Sequence, residues 1–189
     1  MFAVIFEVQP KPERRDDYLD LAKALKPQLE AVDGFIDVER YQSSRTKGRM
    51  LSLSIWRDDK AVVRWRTQAP HHSAQEKGRF EIFDDYRLRV EEVIDDTASS
   101  GAALPQQRFD ETDNADAKAA SITEVIPAAG DNIEPKTLAV QLGLGSRAEG
   151  LVDQEVFESI YNPGKLVLIA TWRDSHAVAR WTPHGAANR

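Results

Sequence analysis

One pattern, Trp-Arg-Asp, then Ala-Val, then Arg-Trp, occurs twice in the chain. Trp56-Arg57-Asp58 leads to Ala61-Val62 and Arg64-Trp65. Trp172-Arg173-Asp174 leads to Ala177-Val178 and Arg180-Trp181, a constant shift of 116 positions. These are the only four tryptophans among 189 residues. Upstream the register holds without gaps: Gly34, Asp37, Glu39, Ser43 and Gly48 recur as Gly150, Asp153, Glu155, Ser159 and Gly164. Self-similarity on this scale fixes architecture before any single residue is weighed. The chain length suits two small domains, and the repeat favours that division.

Periodicity supplies the elements. Phe2 to Val8 is an apolar and β-branched run that reads as a strand. From Glu13, Tyr18, Leu21, Ala22, Leu25, Leu29 and Val32 fall at helical spacing, with Pro27 expected to kink or split the last turn. Asp33-Gly34 stops that helix. Phe35 to Ser43 and Met50 to Trp56 read as strands joined by a turn at Gly48. Asp58 is placed to cap a second helix carrying Ala61, Val62 and Trp65. Pro70 interrupts it, with a further helical turn through His72 to Gly78. Tyr86, Leu88 and Val90 alternate with Arg87 and Arg89 as a fourth strand. The order βαββαβ is a ferredoxin-like α+β unit.

Three segments follow: a complete unit over 1–95, a linker over 96–119, and a degenerate second repeat over 120–189. In the second repeat Ser121 to Ile126 repeats the first strand and Pro135 to Leu142 the first helix. No counterpart of Tyr86 to Val93 is found, so the last strand is missing.

Composition removes several function classes. A net charge of -6 argues against nucleic acid, which needs a concentrated basic face. No apolar stretch approaches the ~20 residues of a membrane span, and the opening residues lack the basic start of a signal peptide. Without cysteine there is neither thiolate nucleophile nor sulfur-ligated metal, and the cytoplasm is the default location. Glycine-rich phosphate loops, Gly-x-Ser-x-Gly elbows and histidine pairs at metal-ligand spacing are not found.

The opening strand Phe2-Ala3-Val4-Ile5-Phe6-Glu7-Val8, the stop Asp33-Gly34-Phe35 and the strand Leu51 to Trp56 resemble the antibiotic biosynthesis monooxygenase family. Trp65 and His72-Ser73-Ala74-Gln75 leading to Asp85-Tyr86 extend the resemblance over nearly all of residues 1–93. It implies sheets that pair into a dimeric α+β barrel, within one chain or between two in a homodimer. The activity it implies is oxygenation of a small planar aromatic, a quinol or anthrone, without metal or other cofactor. Haem degradation, known in one branch, relies on an Asn, a Trp and a His. Glu7, Trp65 and Gln75 stand at those positions, so two of the three differ.

Four residues become site candidates. His72 is the candidate base, since an imidazole titrating near neutrality can take the proton whose loss makes a phenol or anthrone electron-rich. The competing reading is a solvated histidine after Pro70. Glu7 is a second candidate base or acceptor, and strand alternation alone leaves its face open. Trp65 is a candidate wall for a flat substrate, or simply core. Tyr86 is a candidate for orienting a substrate oxygen, or again core. The alternative function is a ligand-binding or assembly module in which the tryptophans are architectural.

Overall fold

The structure, a computed structural model, describes residues 1–96, 116–127 and 133–184. Most of the segment read as a linker, 97–115, lies outside the described residues. Two compact units emerge. One comprises residues 1–39 and 48–93; the other comprises residues 40–47, 94–96 and the described residues from 116 onward. The second unit therefore includes residues 40–47, at the junction of the second and third strands, which sequence order places within the first repeat.

The first unit runs β1 (Phe2–Pro10), α1 (Arg15–Glu30), β2 (Phe35–Ser43), β3 (Met50–Trp56), α2 (Asp59–Arg66), α3 (Ala69–Lys77) and β4 (Phe83–Glu92). Its strands are ordered β4-β1-β3-β2, the ferredoxin-like arrangement expected from βαββαβ. β1 pairs antiparallel with β3 from Phe2↔Trp56 to Val8↔Met50, and with β4 from Phe2↔Glu92 to Val8↔Tyr86. A register shift at Gln9/Pro10 lets β4 begin at Phe83, three residues before the start read from alternation. The last turn is not split at Pro27: α1 is one continuous helix with Pro27 inside it. Pro27 is exposed, so the helix carbonyl deprived of its donor can turn to water. A five-residue π-helical turn, Gly78–Ile82, joins α3 to β4.

Alternation divides the sheet into two faces. Phe2, Val4, Phe6 and Val8, with Trp56, Val90 and Tyr86, share the face that packs against Leu29, Val32, Ala61 and Trp65 of the helical layer. Ala3, Ile5 and Glu7, with Leu51, Leu53 and Arg89, share the other. Sequence left the orientation of Glu7 open; it lies on the face away from the helices.

The turn before β2 shows why the repeat is so strictly spaced. Gly34 has φ +92, its carbonyl accepts from Arg57 N at 2.8 Å, and a Cβ there would stand 2.6 Å from the Ala61 methyl. Gly150 has φ +80, accepts from Arg173 N at 2.8 Å, and would meet Ala177 at 2.5 Å. Asp58 caps α2 by accepting from Ala61 N at 2.7 Å, and Asp174 accepts from Ala177 N at 2.8 Å. Glycine, cap and alanine form one steric unit, copied whole. The indole N–H of Trp56 donates to Ser54 and that of Trp172 to Ser121.

The second unit contains β5 (Ala119–Val125), α4 (Pro135–Gln141), β6 (Leu151–Ser159), β7 (Leu166–Trp172) and α5 (Ser175–Ala179). β7 pairs with both β5 and β6, and the end of β2 pairs with β6 at Tyr41↔Ser159 and Ser43↔Phe157. No strand follows α5 among the described residues. Because Phe2 faces Trp56 and Ala119 faces Trp172, Ile122, Glu124 and Val125 occupy the places of Ile5, Glu7 and Val8. No helix among the described residues is long and apolar enough to cross a membrane.

Candidate functional site

The helix-side sheet face is covered to different extents in each unit. In the second unit Thr123, Val125, Val156, Leu166, Leu168, Ala170 and Trp172 are all buried. Leu138, Leu142 and Leu144 fill the layer above them, and Trp181 lies against Trp172 with ring centroids 5.8 Å apart. In the first unit Phe2, Val8, Met50, Trp56 and Val90 are buried, but Val4, Phe6, Ser52, Leu88 and Tyr86 between them are only half-buried. Val4, Phe6 and Leu88 thus leave part of the first unit's helix-side apolar surface uncovered.

Trp65 projects from α2 and packs beside Val4 against the cluster containing Phe2 and Val90. Its indole stacks on the His71 imidazole, with centroids 4.3 Å apart and planes at 21°. His71 Nδ1 lies 3.1 Å from the Trp65 carbonyl oxygen. A carbonyl can only accept, so Nδ1 carries the proton and Nε2 keeps its lone pair. Burial pushes the His71 imidazole down to about 4, which keeps the ring neutral at physiological pH.

His72, about 100° further round α3, is exposed, with Nδ1 3.9 Å from the Glu76 carboxylate one helical turn on. Sequence reading therefore chose one of two adjacent histidines, and the structure brings the other to Trp65. The chain turns back at Gln68, where His72 N donates to Gln68 O, so the phase of α3 decides which histidine meets Trp65.

Tyr86 belongs to an aromatic group at the other end of the same face. Its ring lies 6.1 Å from Phe6 and 6.3 Å from Phe83, and Phe83 meets Tyr18 edge-on at 5.6 Å. The Arg79 guanidinium of the π-helical turn stands 5.8 Å over the Tyr86 ring. Tyr86 and Val90 are four residues apart along β4, a separation of about 13 Å in a strand. Trp65 and Tyr86 thus flank the half-buried strip. Glu7 does not join them: it lies across the sheet, ion-paired with Arg89. No cluster of metal-ligating residues occurs among the described residues.

The family model described as antibiotic biosynthesis monooxygenase matches residues 1–77. A protein of Pyricularia oryzae named jasmonate monooxygenase ABM is 40% identical over 178 residues, covering 91% of this chain and 82% of that protein. YqjZ of Bacillus subtilis is 32% identical over 92 residues, covering 49% of this chain and 78% of its own. Among solved structures, Rv0793 from Mycobacterium tuberculosis superposes with a TM-score of 0.46 at 20% identity, over 51% of this chain and 97% of that one. A protein from Fusobacterium nucleatum gives 0.43 at 11% identity over 95% and 78%.

Proposed function

The chain belongs to the antibiotic biosynthesis monooxygenase family, and on that premise we propose that its first repeat oxygenates a small, largely apolar organic molecule bound along the strip between Trp65 and Tyr86. The observation that carries this reading is the pairing of Trp65 with a neutral His71 beside an incompletely covered apolar sheet face.

In this reading Trp65 is the wall against which a flat substrate lies, and Tyr86 orients it from the far end. His71 Nε2 accepts the proton of an acidic C–H or O–H group. A low pKa makes His71 a weak base in isolation. Transfer from a bound substrate, however, creates an imidazolium beside an enolate or phenolate, and each offsets the other's desolvation. The substrate anion then reduces oxygen. For an anthrone-type methylene the balance closes without another reagent: the CH2 group and O2 give C=O and water. Hydroxylating a saturated carbon would draw two further electrons from an external reductant.

Two substrate classes follow from separate grounds. Family resemblance suggests a quinol or anthrone. The 40% identity with a protein named for jasmonate suggests that compound. Oxygen uptake measured with an anthrone and with jasmonate, with and without a reductant, separates them. His71→Ala is expected to lower turnover about 100-fold or more, the usual contribution of a positioned base, while His72→Ala leaves it within about twofold. Loss of turnover in His72→Ala but not in His71→Ala would return the base to His72, the residue read from sequence.

The second repeat, with its helix-side core filled, supports an architectural reading for that half. A homodimer is part of the proposal. Ile36 and Val152, related by the repeat shift, are both exposed apolar residues. Light scattering on Ile36→Lys and Val152→Lys tests whether either contributes to association.

A further inference from the structure

The helix-side face of the first unit's sheet is built in rows across its strands. Register places Ser52, Phe6 and Leu88 side by side on β3, β1 and β4. All three are half-buried, so solvent reaches them. The row on one side is Ser54, Val4 and Val90, and the row on the other is Met50, Val8 and Tyr86. Each of those rows has two buried members, which leaves the middle row as the open one.

Ser52 sets a hydroxyl into that row beside two apolar side chains. Ser54 accepts the Trp56 indole N–H at 2.9 Å, whereas the Ser52 hydroxyl has no hydrogen-bond partner among the described residues. The second repeat treats the same place differently. Leu168 stands 116 positions on from Ser52 and pairs with Thr123, and both are buried. Leu138, Leu142 and Leu144 fill the layer above them. The copy whose core is closed thus carries a leucine, and the copy left open carries a hydroxyl. Such a hydroxyl holds water until a ligand oxygen takes the water's place.

We propose that the Ser52 hydroxyl donates to the carbonyl oxygen of an enolisable ketone lying across this row. The inference rests on the oxygenation reading above and narrows its substrate class. His71 presents an acceptor, Nε2, because its Nδ1–H is spent on the Trp65 carbonyl. Trp65 packs beside Val4, and Phe6 stands two residues, about 7 Å, further along β1. Acceptor and donor therefore address different atoms of one molecule. An enolisable ketone has that layout, with its acidic C–H and its oxygen on separate atoms, whereas a phenol carries both on one. As the C–H bond breaks, the proton forms a bond to Nε2 and the electron pair conjugates with the carbonyl, so that charge settles on oxygen. The Ser52 O–H meets that charge as it develops.

The probes are anthrone and dihydroanthracene, its counterpart with CH2 in place of C=O. Equilibrium dialysis against the full-length protein under nitrogen gives both dissociation constants without chemistry. Ser52→Ala is expected to weaken anthrone about fivefold, the worth of one neutral hydrogen bond. The same variant should leave dihydroanthracene within about twofold, and Ser52→Thr, which keeps the hydroxyl, should leave both compounds so. Ser52→Leu, copying the second repeat, should weaken both about tenfold or more by filling the row. In air, oxygen uptake at saturating anthrone is expected to fall about a hundredfold in Ser52→Ala. Equal changes for the two compounds in Ser52→Ala, dihydroanthracene binding untouched in Ser52→Leu, or undiminished uptake in Ser52→Ala would overturn the proposal while the strip remained a binding site. Anthrone binding that depends on Ser52 without oxygen uptake by the wild type would uphold Ser52 and refute the oxygenation reading. A wild-type protein that binds neither compound would overturn both.

Discussion

Replacing Gly34 by alanine tests the steric unit that both repeats share. The backbone there has φ +92, a left-handed conformation that costs a residue with a Cβ about 1–2 kcal/mol. The new methyl would stand 2.6 Å from the methyl of Ala61, which is fully buried, so one of them must move. Overpacking of this kind adds about 1–3 kcal/mol. Together the two terms give a loss of about 2–5 kcal/mol, or about 4–20 °C in Tm at the 2–4 °C per kcal/mol expected of chains this long. The two contributions separate in a cycle. Ala61→Gly alone should cost about 1 kcal/mol in helix propensity. Combined with Gly34→Ala it should restore the overpacking part, a favourable coupling of about 1–3 kcal/mol, and leave the dihedral part in place. Circular dichroism and tryptophan fluorescence during heating and in urea provide the measurement. The reasoning fails if Gly34→Ala costs less than about 0.5 kcal/mol, or if the cycle shows no coupling. Gly150→Ala with Ala177→Gly should give the same pattern in the second unit.

His71 makes a pH prediction. Its pKa is lowered from the ordinary 6.5 to about 4 in the folded chain, so in between the unfolded chain binds the proton first. Stability present above about pH 6.5 is therefore lost as pH falls toward 4, by up to about 3 kcal/mol. His71→Gln should flatten that slope; an unchanged slope in urea titrations at pH 4.5 and 7 would contradict it. Trp65→Ala should weaken substrate turnover with a modest change in Tm, whereas Trp181→Ala, which opens a filled core, should lower Tm without altering turnover. Asp58→Ala and Asp174→Ala should each lower Tm, since each removes the acceptor of an alanine N–H at a helix start. Asn at either position should restore most of it, and failure of that rescue would argue against capping.

The fold was legible because its signals are local and doubled. Period-2 and period-3.6 patterns placed the strands and main helices of the first repeat and the register carried them to the second, while the π-helical turn Gly78–Ile82 went unread; the spacing from Gly34 through Asp58 to Ala61 encodes a close contact at a positive-φ glycine. Less of the site was legible. Whether His71 or His72 meets Trp65 depends on the phase of α3 after Gln68, and one residue's rotation of about 100° moves a side chain from cleft to solvent. The face taken by Glu7 depends on which side of the sheet the helices cover, and alternation alone cannot say that. Pro27 does not split α1 because it is exposed near the helix end, where the carbonyl it leaves without a donor meets water.

Tyr41 comes early in the chain, yet its hydroxyl serves Glu124, and Ser43 and Arg45 beside it donate to Glu155. The border between the units therefore runs through β2, well upstream of the segment where the sequence invites a cut. A fragment starting at residue 120 would take two buried carboxylates out of the protein while leaving their donors behind. The dependence runs one way: what began as a copy is now completed by side chains it does not encode.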